Sequence, residues 1–164
     1  MIRPVNGSGM KRMALLNDLS CFGKCSLSVA MPILSACGVE TVPLPTVILS
    51  THTASGFGDY VMRDMTDEMK AFAAHWKKLN VKFDGICTGF FASAEQIRFA
   101  ESFLRDFGGE DTLIVVDPVL GDNGALYGWR NTCRRCARSA RRPGSSRPTT
   151  RRRRSLQAAR WTRT

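Results

Sequence analysis

The chain has 164 residues and a formal charge of +10, a length that fits one domain of ordinary size. The charge is uneven: residues 1–128 hold 11 Lys+Arg against 14 Asp+Glu, a net of −3, whereas residues 129–164 hold 13 Arg, no Lys and no acid. The basic total therefore gives no reason to expect a nucleic-acid surface on the first 128 residues, and no apolar run is long enough to span a membrane.

Residues 1–12 read as a loose leader, with Gly7, Ser8 and Gly9 in it and Met10 offering an alternative start. The opening "MIRPVNGSGMKRMALLND" has no apolar core followed by a small-residue cleavage site, so a cytoplasmic location is expected. Six cysteines in such a chain read as thiols. Cys37 and Cys87, flanked by apolar residues, read as small core fillers.

The short apolar run Met13–Asp18 predicts a buried strand delivering a loop. After the glycine-bearing turn "SCFGKCS", residues 26–36 predict a helix bent near Pro32 and stopped by Gly38. Glu40–Ser50 is β-branched, but Pro43 and Pro45 each remove a ladder donor, so the strand proper is expected in its second half. A polar loop then leads to a helix over 67–79, capped by Thr66, with Met69, Phe72, Ala73, Trp76 and Leu79 as its apolar stripe. Phe83–Phe90 reads as a third strand. Ser93 and Gln96 form a capping box for a helix that buries Ile97, Ala100, Phe103, Leu104 and Phe107 and ends at Gly108 and Gly109. Thr112–Val119 is apolar on both faces, which predicts a central strand of a parallel sheet.

Strands and helices alternating at this spacing define an α/β fold with a doubly wound, mostly parallel sheet. Such sheets bind ligands beyond the carboxyl ends of their strands. The polar exits are Asn17 to Ser20, Ser50 to Thr53, Thr88-Gly89 and Asp117, expected on one rim. Neither GxxxxGK[ST] nor GxGxxG is present. In "DPVLGDNG", Asp117 and Asp122 flank a glycine-containing turn, where they either share a cation such as Mg²⁺ with substrate phosphates or satisfy turn N–H groups. Asp18 and Ser20 read either as site groups or as helix-capping groups, and Gly23 permits close approach of a ligand. His52 sits on a rim loop, His75 inside an amphipathic helix. Cys21 and Cys25 lie four apart near Lys24, but without a nearby histidine they do not make a zinc site.

"NDLSCFGKCSLSVAMPILSACGVET", "LPTVILSTHT" and "VVDPVLGDNGALY", in this order, resemble the pyridoxal kinases of the ribokinase-like superfamily from about Met13 to Tyr127. The resemblance implies the N-terminal part of a ribokinase-like sheet and transfer of the γ-phosphoryl group of ATP to the 5′-hydroxymethyl of pyridoxal, pyridoxine or pyridoxamine. It places Ser20 by the pyridine ring, Thr53 against the substrate and His52 beside it. It also implies that Asp117 organises the cation environment, that Asp122 faces the nucleotide phosphates and their Mg²⁺, and that Tyr127 lies close to the nucleotide. Members of the family often pair as homodimers. The family's GTGD-type segment, which supplies a helix N-terminus and a general-base aspartate, does not occur in the 164 residues, so no catalytic residue is assigned.

These readings divide the chain into the leader, a partial kinase domain over 13–128 and an Arg-rich tail over 129–164. Leu156 is the tail's only Leu, Ile, Val, Phe or Met, so it is expected to be disordered. Its mixture of Arg, Ala, Pro, Ser, Thr and Gly is what a shifted reading frame in G+C-rich DNA would yield. Its Cys133 and Cys136 lack a second ligand pair. On this reading the strand at 112–119 loses its cover. At about 25 cal/mol per Å², losing some 400 Å² of partner surface would remove about 10 kcal/mol of burial, so the chain is expected to be poorly folded and inactive. Two alternatives remain: a hydroxymethylpyrimidine kinase of the same superfamily, and a non-catalytic nucleic-acid-binding protein acting through the run Arg151–Arg154.

Overall fold

The first strand sets the frame, because it pairs on both sides. In the computed structural model, which describes residues 9–53 and 56–119 and the backbone of 121–122 and 125–126, β1 (Arg12–Phe22) is followed by α1 (Leu27–Ala36), β2 (Glu40–Thr51) and β3 (Met62–Asp64). Then come α2 (Thr66–Lys78), β4 (Gly85–Thr88), α3 (Ala94–Phe107) and β5 (Leu113–Val116), with a two-residue antiparallel pair β6 (Gly121–Asp122) and β7 (Ala125–Leu126). The five-stranded sheet has the order β3-β2-β1-β4-β5. Every pairing in it is parallel except β2 with β3. This is the expected α/β architecture. Among the described residues no helix is long and apolar enough to cross a membrane. The leader to residue 8, Tyr127 and the whole Arg-rich tail lie outside the described residues.

The core lies between the sheet and α2 and α3. Ala14, Leu16, Leu44 and Ile86 on the strands meet Met69 and Ala73 of α2 and Ile97, Ala100 and Phe103 of α3, with Phe83 and Phe91 closing the ends. Phe83, Phe103 and Phe107 stack at centroid separations of 4.4 to 6.0 Å, the range in which aromatic pairs attract beyond their burial. The α2 stripe is narrower than predicted: Met69 and Ala73 are buried and Trp76 packs beside them, but Phe72 and Leu79 are exposed. Thr66 is not the cap of α2. The cap position is Met65, which makes no side-chain bond, and the Thr66 N–H donates to Asp64 Oδ1 at 2.7 Å.

Two strands differ instructively from expectation. β2 uses its whole length despite Pro43 and Pro45. Glu40 N donates to Lys11 O, so by strand alternation residues 42 and 44 also aim their N–H groups at β1, and the two prolines face the other way. There β3 does not reach, since it pairs only with Val47–Leu49, and no ladder bond is lost. β5, expected to be central, is an edge of the described sheet. Register places Ile114 with Ile86 and Ala14 on the helix-covered face, whereas Val115 lines up with Cys87 and Leu15 on the face of α1. Helix α1 packs on β1 and β2 and no described strand pairs with the outer edge of β5, so Leu113, Ile114 and Val115 stay 48%, 41% and 41% exposed, on both faces of the strand. Cys37, predicted in the core, caps the end of α1 and is exposed.

One fully buried amide ties the layers together. Ser93 caps α3 by accepting from Gln96 N at 3.2 Å. The Gln96 side chain, 0% exposed, accepts from Ala92 N at 2.8 Å and donates through Nε2 to Thr46 O at 2.8 Å and Thr66 Oγ1 at 3.0 Å. It thereby links β2, α2 and α3. Near the other end, Asp84 accepts from Lys11 Nζ at 2.7 Å and Arg12 N at 2.9 Å, which holds its carboxyl below the ordinary carboxylate range.

Three outcomes follow. Gln96→Leu leaves the buried Thr46 carbonyl and the part-buried Ala92 N–H and Thr66 hydroxyl without this partner and should cost about 2–4 kcal/mol in urea unfolding. Because the Asp84 pKa is lowered on folding, its stabilisation is complete above the unfolded carboxylate range and fades as pH falls through the folded value. Asp84→Asn should flatten that acid limb of the stability profile, by a small amount because the pair is solvent-screened. Val115→Lys, on the uncovered face of β5, should reduce self-association of the chain in sedimentation without lowering its melting temperature.

Candidate functional site

Along β1, the partner on one side changes at Leu16. Up to that residue β4 pairs with it; beyond, β4 ends and only β2 continues, its register shifting by one residue between Asn17 and Leu19. The strand therefore runs to Phe22 rather than stopping at Asp18, and Asp18 and Ser20 are buried within it instead of lying on an exit loop. The vacated flank is filled by the turn after β4. Gly89 N donates to Leu16 O at 2.8 Å, and Asn17 Oδ1 accepts from Phe90 N at 2.8 Å and from Asp18 N at 3.0 Å. A Cβ on Gly89 would collide with the Asn17 amide, so glycine is required there for packing.

Ser20 is 1% exposed and Asp18 6%. Ser20 Oγ donates to Asp18 Oδ2 at 3.3 Å and accepts from Cys25 Sγ at 3.2 Å, while Ser20 O accepts from Ser28 Oγ at 2.7 Å. The last bond fastens the first turn of α1 to the strand. Cys25 is half-buried and also accepts from Ser26 Oγ at 3.7 Å.

The end of β2 meets the end of β1 directly. His52 N donates to Phe22 O at 2.7 Å. The His52 ring lies edge-on to Phe57 at 6.0 Å, and Phe57 edge-on to Phe22 at 6.0 Å. Gly23 at φ +89° lets the chain turn under this group: a Cβ there would lie 2.8 Å from His52 Cβ and 3.3 Å from the Phe57 ring. Thr53 follows, exposed, and Thr51 Oγ1 is buried without a hydrogen-bond partner among the described residues. Asp117 ends β5 with its N–H on Thr88 O at 3.1 Å and an exposed side chain. Burial pushes the neighbouring Cys87 thiol up, and the Asp117 charge adds to it.

Ser20, His52, Thr53 and Asp117 thus all occupy the carboxyl-end rim, and the turn at 21–25 joins the first two. Asp122 is described only as backbone in β6, paired with Ala125. Sequence reading missed Asn17 as the clamp on Gly89 and Phe57 as the wall beside His52. An amide at a strand exit carries no spacing signal, and Phe57 sits in a Gly-rich stretch without periodicity.

No family model matches the chain. Solved structures do. A Bacteroides thetaiotaomicron protein classed as a phosphomethylpyrimidine kinase is 47% identical over 75% of this chain and 42% of its own, with a TM-score of 0.71. The form of it crystallised with pyridoxal is 45% identical over 79% of this chain and 44% of its own, also at 0.71. Pyridoxal kinase from Lactobacillus plantarum is 36% identical over 72% of this chain and 41% of its own, at 0.66. The chain spans less than half the length of these proteins, and its fold is pyridoxal kinase-like.

Gly89→Ala should destabilise the protein by about 1–3 kcal/mol by overpacking. Combining it with Asn17→Ala should cost clearly less than the sum of the two, as read by a double-mutant cycle in urea.

Proposed function

We propose that the described residues form the substrate-binding part of an ATP-dependent kinase acting on the 5′-hydroxymethyl group of pyridoxal, pyridoxine or pyridoxamine. The observation that carries this reading is the rim itself: Ser20, His52 and Thr53 sit at the ends of neighbouring strands β1 and β2, in a chain 45% identical to a protein crystallised with pyridoxal. Ser20 would lie against the ring, and His52, held by Phe22 and Phe57, would form the wall beside it, with Thr53 at its exposed edge. Excluding water from a ring between an aromatic wall and a polar strand end favours a flat heteroaromatic ligand.

For the nucleotide side, Asp117 presents an exposed carboxylate where ATP phosphates with Mg²⁺ would approach, and Asp122 and Tyr127 are its proposed companions. Mg²⁺ is commonly held by one or two carboxylates together with substrate phosphates, the role proposed for Asp117 and Asp122. The ion would offset phosphate charge; the residues would orient it. The 164 residues contain no Gly-Thr-Gly-Asp sequence, so we assign no general base within this chain and expect binding without turnover. For residues 129–164 we keep the reading of an out-of-frame translation, tested by sequencing codons 120–135. Salt-dependent binding of the tail to nucleic acid in cells would instead favour the alternative of an Arg-rich binding arm.

A second reading, a hydroxymethylpyrimidine kinase, is favoured by the class of the Bacteroides thetaiotaomicron relative. Calorimetric titration of the full chain separates the two: pyridoxine should bind more tightly than 4-amino-5-hydroxymethyl-2-methylpyrimidine, and His52→Ala should weaken it about tenfold, equivalent to about 1.4 kcal/mol. Absence of pyridoxine binding would refute the proposal. Coupled assay with ATP and Mg²⁺ should show no phosphorylated product, and product formation would place a general base within this chain.

A further inference from the structure

The surroundings of Ser20 bear on why a pyridine rather than a pyrimidine ring would be chosen. A serine hydroxyl has one proton to donate and two lone pairs to accept with. Left free, it rotates to suit either a donor or an acceptor on the ligand. Ser20 is not free. An ionised carboxylate can only accept, so Asp18 Oδ2, at 3.3 Å, takes the Ser20 proton, and Cys25 S–H, at 3.2 Å, occupies one lone pair. Asp18 and Ser20 are both more than nine-tenths buried. Both side chains are residues i and i+2 of one strand, so the pairing is fixed by the backbone and does not depend on a loop. The thiol is a weak donor, and exchanging it for a stronger N–H is favourable.

We propose that Asp18 is a positioning residue that holds Ser20 as an acceptor, so that the site selects a ring presenting an N–H. A 3-hydroxypyridine carries its proton on the ring nitrogen in a large fraction of molecules at neutral pH. The ring nitrogens of an aminopyrimidine are unprotonated there and would face the Ser20 oxygen lone pair to lone pair. Such a mismatch leaves a buried polar group unpaired, the kind of penalty that discriminates most strongly between ligands. The inference rests on the reading of Ser20 as the residue beside the ligand ring.

The test is calorimetric titration of the full chain and its variants with two probes, pyridoxine and 4-amino-5-hydroxymethyl-2-methylpyrimidine, with thermal unfolding as the check of folding. Wild type should prefer pyridoxine by about tenfold or more. In Asp18→Ala the Ser20 proton is released to point at an unprotonated ring nitrogen, so the preference should shrink to about threefold or less, chiefly by tighter binding of the pyrimidine. Asp18→Asn, whose carbonyl still takes the Ser20 proton, should keep the wild-type preference; a purely structural role for Asp18 would not produce that split. Ser20→Ala should abolish the preference. An Asp18→Ala protein that keeps the full preference, or a wild type that prefers the pyrimidine, overturns the inference while leaving a kinase substrate site in place. A wild type that binds neither probe overturns the underlying reading as well.

Discussion

The Asn17 side chain is the point at which this sheet becomes a site. A single amide oxygen receives the N–H groups of Phe90 and Asp18 at the point where the β4 ladder has ended. Leaving each unsatisfied costs about 1–3 kcal/mol, so the clamp outweighs any single exposed ion pair, such as Lys70 with Glu95. Because it faces a residue without a side chain, Gly89, the turn after β4 is pressed flat against β1. The strand continues past its neighbour with its polar residues enclosed.

From that continuation the rest follows. Asp18 and Ser20 are carried into a buried segment, and the one-residue shift against β2 brings the Phe22 carbonyl to the His52 N–H. Ser28 then anchors α1 to the Ser20 carbonyl, so the same strand that builds the core also fixes the helix above the rim. Polar groups in such a position are tolerated only when each has a partner, and those of Asp18, Ser20 and Cys25 satisfy one another. Elsewhere on the sheet Gln96 performs the equivalent service for β2, α2 and α3. The rim thus rests on two enclosed polar clusters, with the aromatic core of Phe83, Phe103 and Phe107 beneath.

Much of this was legible in the residues. The strand and helix alternation, the Ser93 cap, the α3 apolar face and the rim positions of His52 and Asp117 emerge from period and exit chemistry alone. What escaped has physical reasons. Prolines were read as strand breakers because one chain does not reveal which neighbour its missing N–H faces. Thr112–Val119 looked central because apolarity on both faces encodes intended burial, not the cover present in the described residues. Asp18 and Ser20 looked like loop residues because polarity was taken to end the strand, whereas mutual hydrogen bonding lets it continue. Cys37 was misplaced because a cysteine between small residues carries no facing information at a helix end.

The most direct measurement is hydrogen exchange of the full chain with and without pyridoxine. Added protection at the amides of residues 18–20, 50–53 and 88–90 together is the expected result, because those three strand ends form one rim coupled through Asn17 and His52. Unchanged exchange in all three, or protection confined to the helices α2 and α3, would contradict a ligand site at the carboxyl ends of β1, β2 and β4.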